Sequence, residues 1–225
     1  MNLKSSPSVV ALLGDVVNSR AASDRVRLHR GLVAGLVRSS DGASPLRVTV
    51  GDEFQGTYGT LGAALDAAFR IRIDLLPDID VRIGLGRGPV VDLDVEEGLQ
   101  DGPGWWAARE AIEDVERSSR GTALRQLRTG YRWAAPSAPP SSTAPATGER
   151  SAEEDAVNAA LACRDQLVGS LSDRGLRVLA GLLGGASQAD LAKREGVSAS
   201  AVSQQVRSQG IGAILHAHEM LRRLP

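Results

Sequence analysis

At 225 residues and 42% hydrophobic content, the chain holds enough apolar material for one ordinary core or two smaller ones. A formal net charge of −1 excludes any global attraction to nucleic acid or acidic lipid, so binding of that kind has to be local. No apolar run approaches the roughly 20 residues that span a bilayer, and the polar start MNLKSSPS lacks the make-up of a secretory signal; no membrane association and a cytoplasmic location are the expectations.

In chain order, Val9 to Leu13 is a short apolar run ending at Gly14-Asp15, which predicts a first strand. Val26, Leu28, Leu32, Val33, Leu36 and Val37 recur at helical spacing and predict a helix from Asp24 to Val37, with Ser23 or Asp24 as N-cap. Leu46 to Val50 and Phe54 to Tyr58 read as a hairpin around Gly51-Asp52-Glu53, and Leu61 to Leu76 as a helix. Val81 to Leu85 and Pro89 to Leu93 read as strands around Gly84, Gly86 and Gly88, and residues 104–118 as a helix that opens after Gly102-Pro103. The order β-α-β-β-α-β, followed by a further strand and helix, predicts an α+β fold: a ferredoxin-like sheet with its helices on one face.

Residues 136–148, PSAPPSSTAPATG, carry four prolines among Ser, Thr and Ala, a composition that favours an extended linker over a packed element. All seven aromatic residues lie between Phe54 and Trp133, so the halves on either side of this segment are differently built. The expected organisation is a first domain over 1–135, a linker over 136–150, and a second domain over 151–225. The second domain reads as a connecting helix over 152–171, then helices over 175–183, 187–195, 199–208 and 214–224, with Gly184-Gly185 and Gly196 at the turns. The lone Cys163, in an Ala- and Leu-rich stretch, is expected to be a small buried residue.

The predicted sheet puts the first strand beside the central hairpin, so Asp15 should approach Asp52. Two such carboxylates repel unless a cation or proton sits between them, and a hard cation such as Mg²⁺ takes carboxylate together with phosphate oxygens. Taken singly, Asp52-Glu53 also reads as a solvated turn and Asp15 as a loop cap. Asn18-Ser19-Arg20 follows Asp15 where backbone amides and a guanidinium meet phosphate at a helix start, although Arg20 is equally suited to pairing with Asp24. Trp105 and Trp106 are suited either to stacking on a purine or to the core.

VTVGDEF, residues 48–54, resembles the hairpin of GGDEF diguanylate cyclases and class III nucleotidyl cyclases, which have palm-type ferredoxin-like domains. That resemblance implies Asp15 and Asp52 as ligands of Mg²⁺ on a nucleotide triphosphate, with Gly51 and Glu53 beside them. VRIGLGRGPVV, residues 81–91, is similar to the later strand and Gly-rich turn of class III cyclases, and Ala107-Ala108-Arg109 to the segment that ends in their phosphate-stabilising arginine. Val50 stands where GGDEF enzymes have their first glycine, and Trp105 where cyclases carry a catalytic asparagine. No residue matches the cyclases' base-reading pair. These departures favour binding over catalysis, and Arg109 is the one residue the resemblance offers for a catalytic role. ALLGDVVNSR, VTVGDEFQG, RIGLGRG and DGPGWWAARE together resemble the bacterial SatD family, whose members often join this domain to a helix-turn-helix; no activity is carried over from it.

SQADLAKREGVSASAVSQQVRSQG, residues 187–210, has the helix-turn-helix pattern, with Gly196 in the turn and Val197, Val202 and Val206 inward. It resembles sigma-region-4-like and MarR-like regulators. Ser198, Ser200, Ser203, Gln204 and Arg207, with Ser187 and Gln188 on the preceding helix, are the expected contacts to double-stranded DNA. From Ser172 to Pro225, seven Lys or Arg face four acids, a modest excess that suggests a dimer on a two-fold site. A three-helix structural module is the plain alternative. His216 and His218, two apart on one helix, point to different faces, and His29 reads as a surface residue. The functional expectation is a homodimeric DNA-binding regulator whose first domain binds a purine nucleotide (GTP, ATP or a cyclic nucleotide), with Mg²⁺ as its cofactor. The alternative is a nucleotidyl cyclase or polymerase-like transferase using Mg²⁺ at Asp15 and Asp52.

Overall fold

The first strand, β1 (Val9–Val16), is apolar almost throughout because both of its faces are covered. Val10, Leu12 and Val16 enter one core, and Ala11 and Leu13 enter another on the opposite side. The computed structural model describes residues 9–19, 24–39, 46–49, 51–94, 99–134 and 151–225. Arg20, Ser23, Val50 and the expected linker over 136–150 lie outside the described residues.

Helix α1 (Arg25–Ser39) follows, with its N-terminus closed by the Asp24 carboxylate, which accepts from the Arg27 N–H at 2.9 Å. The hairpin is β2 (Arg47–Val48) and β3 (Phe54–Tyr58), then come α2 (Leu61–Leu75) and β4 (Val81–Gly88). A two-stranded ribbon, β5 (Val91–Asp94) and β6 (Leu99–Asp101), precedes α3 (Pro103–Ser119) and β7 (Thr129–Trp133). The main sheet runs β2-β3-β1-β4-β7 and is antiparallel except between β4 and β7. Its first four strands have the order that the β-α-β-β-α-β pattern predicts.

The two helices of the β-α-β-β-α-β pattern lie on one face, as expected, and the further helix, α3, takes the other. Helices α1 and α2 pack Leu32, Leu36, Leu65 and Ala68 on one side of the sheet, whereas α3 covers the other with Trp105 and Ala108. The cause is a glycine spine: Gly84, Gly86 and Gly88 alternate with the apolar residues of β4 and face α3. A Cβ on Gly86 would lie 2.1 Å from the Gly104 carbonyl oxygen, so bare backbone is what lets the helix lie directly on the strand. These glycines read as a turn in the sequence, and their work is packing.

Strand β7, absent from the sequence reading, is a short edge strand, and the α4 (Ala152–Gly169) side chain Asn158 covers it. The Asn158 amide accepts from the Tyr131 N–H and donates to its carbonyl, both at 2.9 Å, in place of a further strand. The remaining helices, α5 (Asp173–Leu183), α6 (Gln188–Glu195), α7 (Ala199–Ser208) and α8 (Ile211–Leu221), each begin within a few residues of expectation. Ser151, Ser172, Ser187 and Ser198 cap α4 to α7, and Gly196 ends α6 in the left-handed conformation at φ 66°. Leu176, Leu179, Leu191, Val202, Ile211 and Ile214 form one cluster with Phe69 and Ile73 of α2, so the C-terminal helices share a core with the sheet domain. Beyond α8 the chain turns back, and the Leu61 and Gly62 N–H groups donate to the Pro225 and Leu224 carbonyls. Cys163, expected to be buried, is exposed, because α4 turns Val157, Leu161, Arg164 and Asp165 inward. His216 is exposed and His218 buried, on different faces as expected, and His29 is on the surface.

Candidate functional site

Asp15 is the penultimate residue of β1, and two local features place it. Its neighbour Gly14 pairs with Phe54 of the hairpin, and a Cβ at Gly14 would penetrate the Phe54 ring at 2.1 Å. Its own cross-strand partner is Arg82 of β4. The Arg82 guanidinium grips the Asp15 carboxylate with both prongs, Nε to Oδ1 at 2.8 Å and Nη2 to Oδ2 at 3.0 Å, and reaches Glu116 of α3 at 3.3 Å. Burial pushes the Asp15 carboxyl above the usual carboxylate range, and the charges of Asp52 and Glu116 add to that rise while Arg82 opposes it. Burial likewise works against the Arg82 charge, but Asp15 and Glu116 hold its pKa above the ordinary value.

Asp52 and Glu53 occupy the hairpin tip, where Gly51 takes φ 69° and Thr49 donates its N–H to the Glu53 carbonyl at 2.9 Å. The left-handed residue explains why glycine precedes the acids. The fold thus brings Asp52 into the electrostatic range of Asp15, as the strand order requires. Arg109 reaches Glu53 at 3.4 Å, an exposed pair of small energetic weight. Arg25, at the start of α1, extends its guanidinium over Gly51, 3.7 Å from where a Cβ would stand. Ser19 is buried just beyond β1, after Asn18 in the left-handed region at φ 57°.

Trp105 stands apart from this group. It is 8% exposed and packs among Ala11, Leu13, Val90 and Ala108, with its indole nitrogen unpartnered among the described residues. Trp106 is the exposed member of the pair, at 59%, and its indole N–H is fixed on the Asp101 carboxylate at 2.9 Å. Arg82 and Glu116 were not singled out from the sequence; an arginine directly across from a strand-end aspartate is the signal for the first, and it emerges only with the register. A cleft of about 760 Å³ between residues 122–126 and α4 includes Leu124, Gln126 and Cys163, and shares no residue with the carboxylates.

Asp15 and Asp52 are oxygen donors of the kind a hard cation takes, and their repulsion favours one. No group of three or more His, Cys, Asp or Glu is placed to hold a metal ion among the described residues. The pair fits a cation that brings phosphate or water ligands of its own, in exchange for Arg82 on Asp15.

In the C-terminal helices, Ser198, Ser200, Gln204 and Arg207 are exposed and Ser203 is half-buried. Ser187 and Ser198 accept from the Asp190 and Ala201 N–H groups as helix caps, and Arg207 donates to the Ser203 hydroxyl at 2.9 Å. Gln188 is exposed at the start of α6.

Among solved structures, the fold is similar to the monomeric guanylyl cyclase domain of the RhoGC fusion protein from the aquatic fungus Blastocladiella emersonii, at 20% identity over 49% of this chain and 77% of that one, TM-score 0.37. It is also similar to an EAL/GGDEF domain protein from M. capsulatus, at 19% identity over 57% and 86%, TM-score 0.37. A bacterial light-regulated adenylyl cyclase matches at 12% identity over 55% and 41%, TM-score 0.41. No curated protein matches the chain. The SatD family model matches residues 9–125, more than half of the sequence, and the chain belongs to the SatD family.

Proposed function

We propose that the chain is a DNA-binding regulator whose sheet domain binds a purine nucleotide or a related phosphate ligand at the mouth of β1 and the β2–β3 hairpin. The observation that carries this reading is the convergence of Asp15, Asp52 and Arg82 from three separate elements at one sheet end, with Arg25 and Arg109 at the hairpin tip. Guanidinium groups take phosphate oxygens, and carboxylates take the accompanying cation. Mg²⁺, held by Asp15 and Asp52, would neutralise phosphate charge there. Ser19, buried just beyond β1, completes the phosphate end of this reading.

Binding is favoured over catalysis because Trp105, where the cyclases carry a polar catalytic residue, is core, and because Arg82 occupies both oxygens of Asp15. Helices α6 and α7 form the DNA-binding end as a helix-turn-helix. The exposed polar row of Ser198, Ser200, Gln204 and Arg207 supports that reading, with Ser203, Ser187 and Gln188 beside it. The exposed valines of α1, Val26, Val33 and Val37, support a homodimer. The ligand acts on DNA affinity by linkage, through preference for one conformation of the chain over another.

The test is a titration of purine nucleotides with Mg²⁺ into wild type and Asp52→Ala, following binding and turnover together. Binding without turnover, weakened in the variant, supports the regulator. Turnover lost in the variant supports a nucleotidyltransferase instead, and no binding to wild type sinks both. Arg207→Ala should weaken DNA binding, and an unchanged affinity removes α7 from the interface.

A further inference from the structure

The Arg82 guanidinium is shared between two carboxylates, Asp15 and Glu116. Its Nε and Nη2 hold the two Asp15 oxygens at 2.8 and 3.0 Å, its Nη1 faces Glu116 at 3.3 Å, and the charge of Asp52 bears on the same Asp15. Arg82 thus contacts two carboxylates, of which Glu116 is also held by Arg120 at 3.1 Å, while Asp15 has Asp52 as a like-charged neighbour. The two acids that contact it differ. Asp15 is 25% exposed at the strand end, while Glu116 is 43% exposed on the surface of α3 and already touches the guanidinium through a separate nitrogen. A small rotation about the flexible arginine stem frees Asp15 while Glu116 keeps hold.

We infer that Arg82 is the resident counter-cation of this carboxylate group, and that a divalent cation binds Asp15 and Asp52 only by displacing it toward Glu116. The inference rests on the reading of Asp15 and Asp52 as the cation end of a phosphate site, and adds that Arg82 sets the site's cation affinity. Two positive groups on one carboxylate repel, so the guanidinium and the dication are mutually exclusive there. Removing Arg82 leaves Asp15 without its cation beside Asp52, and the repulsion between the two then favours a dication more strongly than in the wild type. A phosphate ligand eases the exchange, because it offers the displaced guanidinium a further anionic partner.

The test uses the full chain with Mn²⁺ alone as probe, following the free-ion paramagnetic signal, and needs no nucleotide. Arg82→Gln is expected to bind Mn²⁺ at least tenfold more tightly than wild type, and Arg82→Gln combined with Asp15→Asn to lose that gain. Arg82→Lys keeps the charge and cannot grip both oxygens; it is expected to fall between wild type and Arg82→Gln, and it serves where the glutamine variant does not fold. Equal or weaker Mn²⁺ binding in folded Arg82→Gln, or in Arg82→Lys, with wild-type binding that still depends on Asp15, overturns the inference and leaves the cation site standing. No Mn²⁺ binding in any variant up to millimolar concentration overturns the cation site itself, and the inference with it.

Discussion

Asp165 of α4 is the residue whose loss the fold should tolerate least. Its carboxylate is fully buried and accepts from the Arg72 guanidinium at 2.9 Å and from the Arg128 and Thr129 N–H groups at 2.7 Å each. Beside it the Arg164 guanidinium, 1% exposed, lies over the Phe69 ring at 4.5 Å with no hydrogen-bond partner among the described residues. Burial lowers the Arg164 pKa to about 10, against the opposing charge of Asp165. In Asp165→Ala, Arg72 keeps only Asp80, at 3.0 Å, and Arg164 loses its nearest balancing charge. Breaking a buried pair by removing one partner costs about 3–5 kcal/mol. Two orphaned amides add to this, less than additively because water can enter, and the expected loss is about 5 kcal/mol. For a chain of this size that lowers Tm by about 10–20 °C. Both amides donate to the same oxygen, Oδ2, so Asp165→Asn keeps their acceptor but turns an NH2 toward Arg72 and loses the charge, and it should cost roughly half as much. Urea unfolding followed by circular dichroism at neutral pH measures both. A loss below about 1 kcal/mol in Asp165→Ala, with the denaturant slope unchanged, would refute the claim that this carboxylate clamps α4 onto β7 and α2.

Gly86→Ala should destabilise by about 2–3 kcal/mol or more, because the new Cβ meets the Gly104 and Ala108 backbone at 2.1 and 2.2 Å, whereas Gly212→Ala, with open space around it, should be neutral or mildly stabilising in thermal melts. Trp105→Ala should cost about 3–5 kcal/mol and Trp106→Ala less than about 1 kcal/mol, and the same melts separate the core indole from the exposed one. Burial raises the Asp66 pKa, but His218 and Arg70, at 2.9 and 2.8 Å, outweigh it and bring it from 3.8 to about 2. A depressed carboxylate contributes stability that is present above its unfolded pKa and lost as the folded group protonates. The Asp66 contribution, about 1–2 kcal/mol after allowing for partial exposure, should therefore fade between pH 4 and pH 2. Unfolding midpoints of wild type and Asp66→Asn should converge over that window, and a constant gap would count against the pairing.

Elements with one dominant periodicity were legible in the sequence. Helix α7 begins and ends as the expected span of 199–208 has it, and β3 matches its alternation, because both report a single burial pattern. Strand β7 was not legible, since TGYRW contains a glycine and an arginine and owes its place to Asn158 and the parallel register with β4. The side of the sheet taken by α3 was hidden for a related reason. Glycine leaves no hydrophobic mark on the face it opens, so the spine at 84, 86 and 88 reads as a turn until the helix is seen lying on it. At the candidate site, the nearness of Asp15 and Asp52 follows from strand order alone, but Arg82 is a matter of register, and a one-residue slip would turn it to the opposite face. Trp105 and Trp106 are adjacent and chemically alike, and only the direction of the α3 stripe decides which one the core takes.

The same contacts bear on how a ligand could reach the C-terminal helices. The proline-rich composition of residues 136–148, read from the sequence, offers no packed contact to couple the halves. Contacts elsewhere in the chain provide a route. Asp165 of α4 holds Arg72 of α2; Arg72 holds Asp80; and Asp80, whose carbonyl accepts from the Val17 N–H, stands two residues before Arg82 on the strand that grips Asp15. Arg128 closes the loop from the other side, holding Asp80 at 2.6 Å while its amide donates to Asp165. Packed charges of this kind have few alternative arrangements, so a displacement of Arg82 has to be absorbed along β4 or passed to α2 and α4. If it is passed on, Asp80→Asn should leave Mn²⁺ affinity within about twofold of wild type while uncoupling phosphate-ligand binding from any change at Arg207. If the shift is absorbed locally, the coupling should survive that substitution unchanged. The comparison separates a site that merely sits in the same molecule as α7 from one that acts on it.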